Sequence, residues 1–67
     1  MKVKMFVKQN EDTIKNGTAG CKVALVEREY EKDGVVMVSV LVRDYDNFPC
    51  GPYQLPKEYL EVREIAG

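Results

Sequence analysis

Residues 35–43, VVMVSVLVR, constrain the fold of this 67-residue chain more than any other segment. Eight of the nine are uncharged, and Val35, Val36, Val38, Val40 and Val42 are β-branched. Such side chains are stiff at χ1 and suit a pleated surface better than a helical one, so the run reads as a strand. It is too short for a stable buried helix, and Asp33-Gly34 punctuates its start. Alternation places Val36, Val38, Val40 and Val42 on one face and Val35, Met37, Ser39 and Leu41 on the other. Both faces are largely apolar, so each needs cover.

The flanking segments supply more short strands. Residues 2–8 alternate, with Val3, Met5 and Val7 facing one way and Lys2, Lys4, Phe6 and Lys8 the other. That pattern predicts a half-buried strand near a sheet edge. Residues 9–20, QNEDTIKNGTAG, are polar and turn-rich, and read as a long loop in which Ile14 tucks under the fold as an anchor. Residues 21–30 form a second strand, with Cys21, Val23 and Leu25 alternating with Lys22, Ala24, Val26 and Arg28. Residues 31–34, EKDG, make the hairpin turn into the central strand.

After Arg43 the segment DYDNFPCGPY favours turns, and its prolines preclude a central strand. A short fourth strand is expected at 51–55 and a single helical turn at 56–59, opened by Pro56. A closing strand follows at 60–63. Five short strands with one turn before the last predict an all-β fold, a five-stranded small barrel. Closure removes the exposed edges of so short a sheet. In a strongly bent barrel one long strand serves two layers, which buries both faces of the central strand internally. The alternative is a homodimer over Val35, Met37 and Leu41.

Composition bounds the function. Sixty-seven residues make one domain, 1–67, near the lower limit for a core without staples. No apolar run approaches the ~20 residues of a membrane span, and MKVKMFVK is not a signal peptide, so a cytoplasmic protein is expected. Cys21 and Cys50 then read as reduced thiols, with a disulfide as the other possibility. The chain has no histidine and no Cys-x-x-Cys pair, which argues against structural zinc. Asp44, Asp46 and Asn47 lack a full loop of oxygen ligands, so neither metal nor cofactor is expected.

Catalysis is not expected either. Ser39 sits inside the central strand, and Cys50 has only Asp44 and Asp46 close in sequence, which would raise a thiol pKa if near. Net charge is −1, so nothing in the total attracts nucleic acid. The charge is uneven, however: residues 1–22 hold five lysines against Glu11 and Asp12, while the remainder is acidic. Tyr45, Phe48, Tyr53 and Tyr59 lie within fifteen residues, interleaved with prolines. Rigid amphipathic rings of this kind favour interfaces, and a surface of Tyr45, Phe48, Tyr53, Pro56 and Tyr59 is the expected site for a protein partner.

The closing segment GPYQLPKEYLEV resembles the end of an SH3 domain, where a Pro-x-x-Tyr turn, here Pro56 and Tyr59, precedes the last strand. EDTIKNGTAGCKVALVE resembles the acidic loop that leads into the second SH3 strand. It also resembles the ribosomal-type KOW element, with Gly17 and Gly20 before an alternating strand and Ile14 upstream. The first resemblance implies an SH3-like barrel with Pro56 and Tyr59 as groove residues. Peptide-binding SH3 domains also use a Trp and an Ala-Leu-Tyr-Asp-Tyr-type start, whereas this chain has no Trp and begins VKMFVK. The KOW resemblance implies RNA or ribosome association through Lys2, Lys4, Lys8, Lys15 and Lys22, against which stands an acidic pI near 5.3. The sequence thus predicts a non-enzymatic protein-interaction module or accessory subunit, with an RNA-associated module as its alternative.

Overall fold

A computed structural model describes residues 2–65. The elements are β1 (Lys2–Val7), α1 (Glu11–Asn16), β2 (Lys22–Lys32), β3 (Val35–Arg43), β4 (Pro49–Pro56), a 3-10 turn (Lys57–Tyr59) and β5 (Leu60–Ile65). The five strands form one antiparallel sheet in the order β4-β3-β2-β1-β5. The fold is all-β, as the valine run predicts, and the central segment 35–43 is a strand over its whole length.

β3 is the organising strand because it is paired on both sides, with β2 along one edge and β4 along the other. Residues directly opposite one another share a face of the sheet. Val42 therefore lies with Val23 and Cys50, Val40 with Tyr53, and Val38 with Leu55. Val38, Val40, Val42 and Leu55 join Val7 of β1 as the buried core, with Cys21, Val23, Cys50, Tyr53, Tyr59 and Leu60 packed against it. Each such side chain taken from water contributes about 1.5–3 kcal/mol, so five of them dominate what a chain this small gains from burial. Val36, expected on the same face, lies beyond this core and is exposed, as is Val35 at the start of the strand. Met37 and Leu41 on the other face are half-buried.

The second strand departs from simple alternation. Two bulges, between Val23 and Leu25 and between Val26 and Arg28, each add one residue to β2 opposite β3. An added residue reverses which face the following side chains take and sharpens the local twist. Leu25 consequently sits opposite Leu41 on the outer face and is 53% exposed, although unbroken alternation places it in the core. The hairpin is also tighter than a four-residue EKDG turn. β2 and β3 are joined by Asp33-Gly34 alone, both at positive φ (53° and 80°), which matches the right-handed twist of the strands.

The loop between β1 and β2 contains a short helix that its polar composition does not advertise. Asn10 caps it, accepting from the Thr13 backbone N–H at 3.0 Å while Thr13 Oγ1 accepts from the Asn10 N–H at 2.9 Å. Gly17 ends it at φ 82°. The reciprocal cap fixes the register of the helix. It turns Thr13, fully buried, toward β1, where its hydroxyl donates to the Lys8 carbonyl at 2.7 Å. Ile14 lies one residue, or about 100°, further round and is 66% exposed. The expected anchor is therefore Thr13 and not Ile14.

β4 is an edge strand, the position its three prolines allow. It carries its own bulge against β3 between Val40 and Val42, where Gly51 stands at φ 129° ahead of a cis peptide bond to Pro52. β1 joins β5 to β2. It pairs with β5 from Lys2 to Val7, but with β2 only where Phe6 meets Lys22 and where the Val7 N–H donates to the Cys21 carbonyl at 2.9 Å.

Candidate partner-binding surface

The loop from β3 to β4 is held by one carboxylate. Asp44 Oδ1 accepts from the backbone N–H groups of Asp46 and Phe48, each at 2.9 Å. The backbone closes the same turn, with Asp44 N–H donating to the Phe48 carbonyl and Asn47 N–H to the Asp44 carbonyl, both at 3.0 Å. Asn47 takes φ 66°, a left-handed position that Asn tolerates, and its carbonyl accepts from Arg43 Nη1 at 2.9 Å. The Phe48 N–H foremost, with the Cys50 thiol and the Asp46 N–H, holds the Asp44 carboxyl below its ordinary pKa. The same carboxylate raises the Cys50 thiol, lying 3.5 Å from its sulfur, although partial desolvation is the larger cause. A thiol so placed is a poor nucleophile.

This closed turn holds two rings in water. Tyr45 is fully exposed and Phe48 is 66% exposed. Of the five residues expected to form one aromatic surface, these two are together on the loop. Tyr53 is half-buried, opposite Val40 on the core face of β4. Pro56 is half-buried opposite Met37 on the outer face. Tyr59 packs against the core, and its hydroxyl donates to Asp12 Oδ2 at 2.6 Å, which raises the phenol pKa. Val35, Met37 and Leu41, the expected oligomer face, range from exposed at Val35 to half-buried at the other two.

Beside the aromatic loop lies a basic stripe on the outer face. Phe6, Lys22 and Arg43 stand in register across β1, β2 and β3. Lys4 stands opposite Arg63 of β5, and the Arg63 guanidinium sits 4.7 Å over the Phe6 ring. Arg63 is paired with Glu61 at 2.9 Å. Among the described residues neither Lys4 nor Lys22 is ion-paired. The like charge of Lys4 foremost, with slight desolvation and Arg43 further off, lowers the Lys22 ammonium pKa. A shallow cleft of about 210 Å³ lies between the stripe and the loop, lined by Phe6, Lys22, Arg43, Asp44, Tyr45 and Asn47 among others.

The five lysines expected to act together do not all meet here. Lys4 and Lys22 do, whereas Lys8 is exposed past the end of β1 and Lys15 lies in the last turn of α1. The Lys2 side chain lies outside the described residues. Sequence reasoning missed Phe6, Arg43 and Arg63. The alternation of β1 already sets Phe6 beside Lys4 on the outward face, but the arginines arrive only through strand register.

On the outer face of β2, β3 and β4 the polar side chains are tied to one another. Tyr30 Oη donates to Gln54 Oε1 at 2.6 Å, Gln54 Nε2 donates to Ser39 Oγ at 2.9 Å, and Ser39 Oγ faces Glu27 Oε1 at 3.4 Å. Ser39 is 5% exposed, and its hydroxyl is engaged on both sides, accepting from Gln54 and donating to the Glu27 carboxylate. No group of three or more potential metal-ligating side chains occurs among the described residues. No helix among them is long and apolar enough to cross a membrane. No protein-family model, curated protein or solved structure matches this chain.

Proposed function

We propose that this chain is a small non-enzymatic protein-interaction module or accessory subunit of the cytoplasm, built as an SH3-like barrel. The strand order β4-β3-β2-β1-β5, with β1 joining β5 to the start of a long, twice-bulged β2, supports the closed roll. One observation carries the function: a turn pinned by Asp44 keeps Tyr45 and Phe48 out in water. Ordering two large apolar rings on a rigid loop without burying them forgoes stability, and lowers the entropy lost when a partner covers them. The engaged Ser39 hydroxyl and the raised Cys50 thiol favour binding over chemistry. Affinity capture from native lysate tests the reading. The proteins retained by the wild-type chain are expected to be lost from Tyr45→Ala and Phe48→Ala, and an unchanged set refutes the surface.

The second reading is an RNA-associated module, favoured by the Lys4, Lys22 and Arg43 stripe beside Phe6. Its signature is steep loss of RNA affinity as salt rises, and an absence of binding removes it.

A further inference from the structure

The stripe and the cleft specify what kind of partner segment would fit. Resting on the protein-binding reading above, we propose that the cleft between Phe6 and Tyr45 receives an acidic segment of the partner: a carboxylate on Lys22 and Lys4, and a neighbouring apolar side chain between the two rings.

Three observations carry this. The first is uncompensated charge. Lys4 and Lys22 approach each other across β1 and β2 with Arg43 alongside, and among the described residues neither lysine has a carboxylate partner. Like charges held together on a sheet repel, and an incoming anion relieves that repulsion. The depressed Lys22 ammonium is the trace of the same crowding.

The second is size. About 210 Å³ lies below the 300–1,000 Å³ of ordinary small-molecule pockets, and suits one inserted side chain. Its walls join apolar Phe6 and Tyr45 to two cations, Lys22 and Arg43, against the single carboxylate of Asp44, so one apolar and one acidic side chain match the two halves.

The third is the boundary of the positive surface. Asp44 lines the cleft on the loop side, and Glu61 stands opposite Phe6 on the β5 side. A nucleic-acid strand carries a charge at every phosphate and needs a continuous basic track, which these carboxylates interrupt. A peptide bearing one or two carboxylates needs only the local excess of Lys4, Lys22 and Arg43 over Asp44.

The experiment is an NMR titration of the intact chain with three probes. They are a short peptide with glutamates flanking a Leu-Phe pair, the same peptide with glutamines, and oligouridylate. The acidic peptide is expected to shift the amides of Phe6, Lys22, Arg43 and Tyr45. Lys22→Gln and Lys22→Glu are each expected to weaken it by about two- to fivefold, as for a partly exposed ion pair, with Lys4→Glu adding to the effect. The glutamine peptide is expected to bind more weakly by a similar factor per charge. Equal binding of both peptides, no shift with the acidic one, or tighter binding of oligouridylate overturns the proposal. If the acidic peptide fails while lysate capture still depends on Tyr45 and Phe48, the cleft assignment falls alone. If capture ignores both rings, the protein-binding reading falls with it.

Discussion

The Tyr59 hydroxyl donates to Asp12 Oδ2 at 2.6 Å, a bond that ties the 3-10 turn before the last strand to the first turn of α1. The Lys8 N–H donates to the Tyr59 carbonyl at 2.7 Å beside it. Two elements far apart in sequence are thereby fastened across one end of the core. The same bond disfavours the phenolate, because the ionised ring would face a carboxylate.

A pH dependence follows. The folded pKa of Tyr59 is raised above its ordinary value of 10.0, so its contribution to stability is complete below about pH 10 and is lost as pH rises through the folded pKa. Tyr59→Phe is expected to lower the thermal midpoint at pH 7. The gap from the wild type is expected to narrow above pH 10, measured by circular dichroism melts across pH 7–11. A gap that widens with pH refutes the tether.

The capped helix makes a second, paired prediction. Thr13→Ala removes the hydroxyl half of the reciprocal cap and the donor to Lys8, and is expected to cost about 1–2 kcal/mol in urea unfolding. Ile14→Ala, on the solvent side, is expected to stay within about 0.5 kcal/mol. A reversed order places the anchor back at Ile14.

Gly51, in the bulge of β4, is the least replaceable glycine. A Cβ there would lie 2.9 Å from the Val40 carbonyl oxygen and 3.0 Å from the Tyr53 nitrogen, at φ 129°. Gly51→Ala is expected to cost about 2 kcal/mol or more, because backbone atoms and not a flexible side chain must yield. Gly34→Ala has open space around its Cβ and is expected to cost less. Chemical denaturation of the two variants compares them directly.

Asp44 governs the recognition loop. Its folded pKa is depressed, so the loop's order is present above the ordinary carboxylate range and is lost as pH falls through the folded value. Asp44→Ala is expected to speed amide exchange at Asp46 and Phe48 while the exchange of β3 stays slow. It is also expected to quicken alkylation of Cys50, from which one of the causes raising the thiol pKa has gone.

Tyr45→Ala and Phe48→Ala are expected to leave the urea midpoint unchanged, since both rings stand in water. Tyr53→Ala, whose ring packs against the core, is expected to lower it. A loss of stability in the first two would mean that the loop is structural.

What the sequence alone determined was set by local chemistry. β-branching and period-two alternation made 35–43 a strand, Asp33-Gly34 made a turn, and the prolines of 49–56 kept that strand at the edge. The ends of strands moved by a residue or two, because hydrogen bonding to a neighbour extends a strand past its apolar run. Other features were decided only by tertiary structure. The bulge at Ala24 turned Leu25 outward, since an extra residue opposite β3 reverses the faces downstream, and the bulge at Glu27 reversed them back. A side-chain cap chose Thr13 over Ile14 as the buried residue. The proximity of Tyr45 and Phe48 was legible from their spacing. That Phe6, Lys22 and Arg43 meet on one face was not, because the pairing of strands, and not distance along the chain, brings them together.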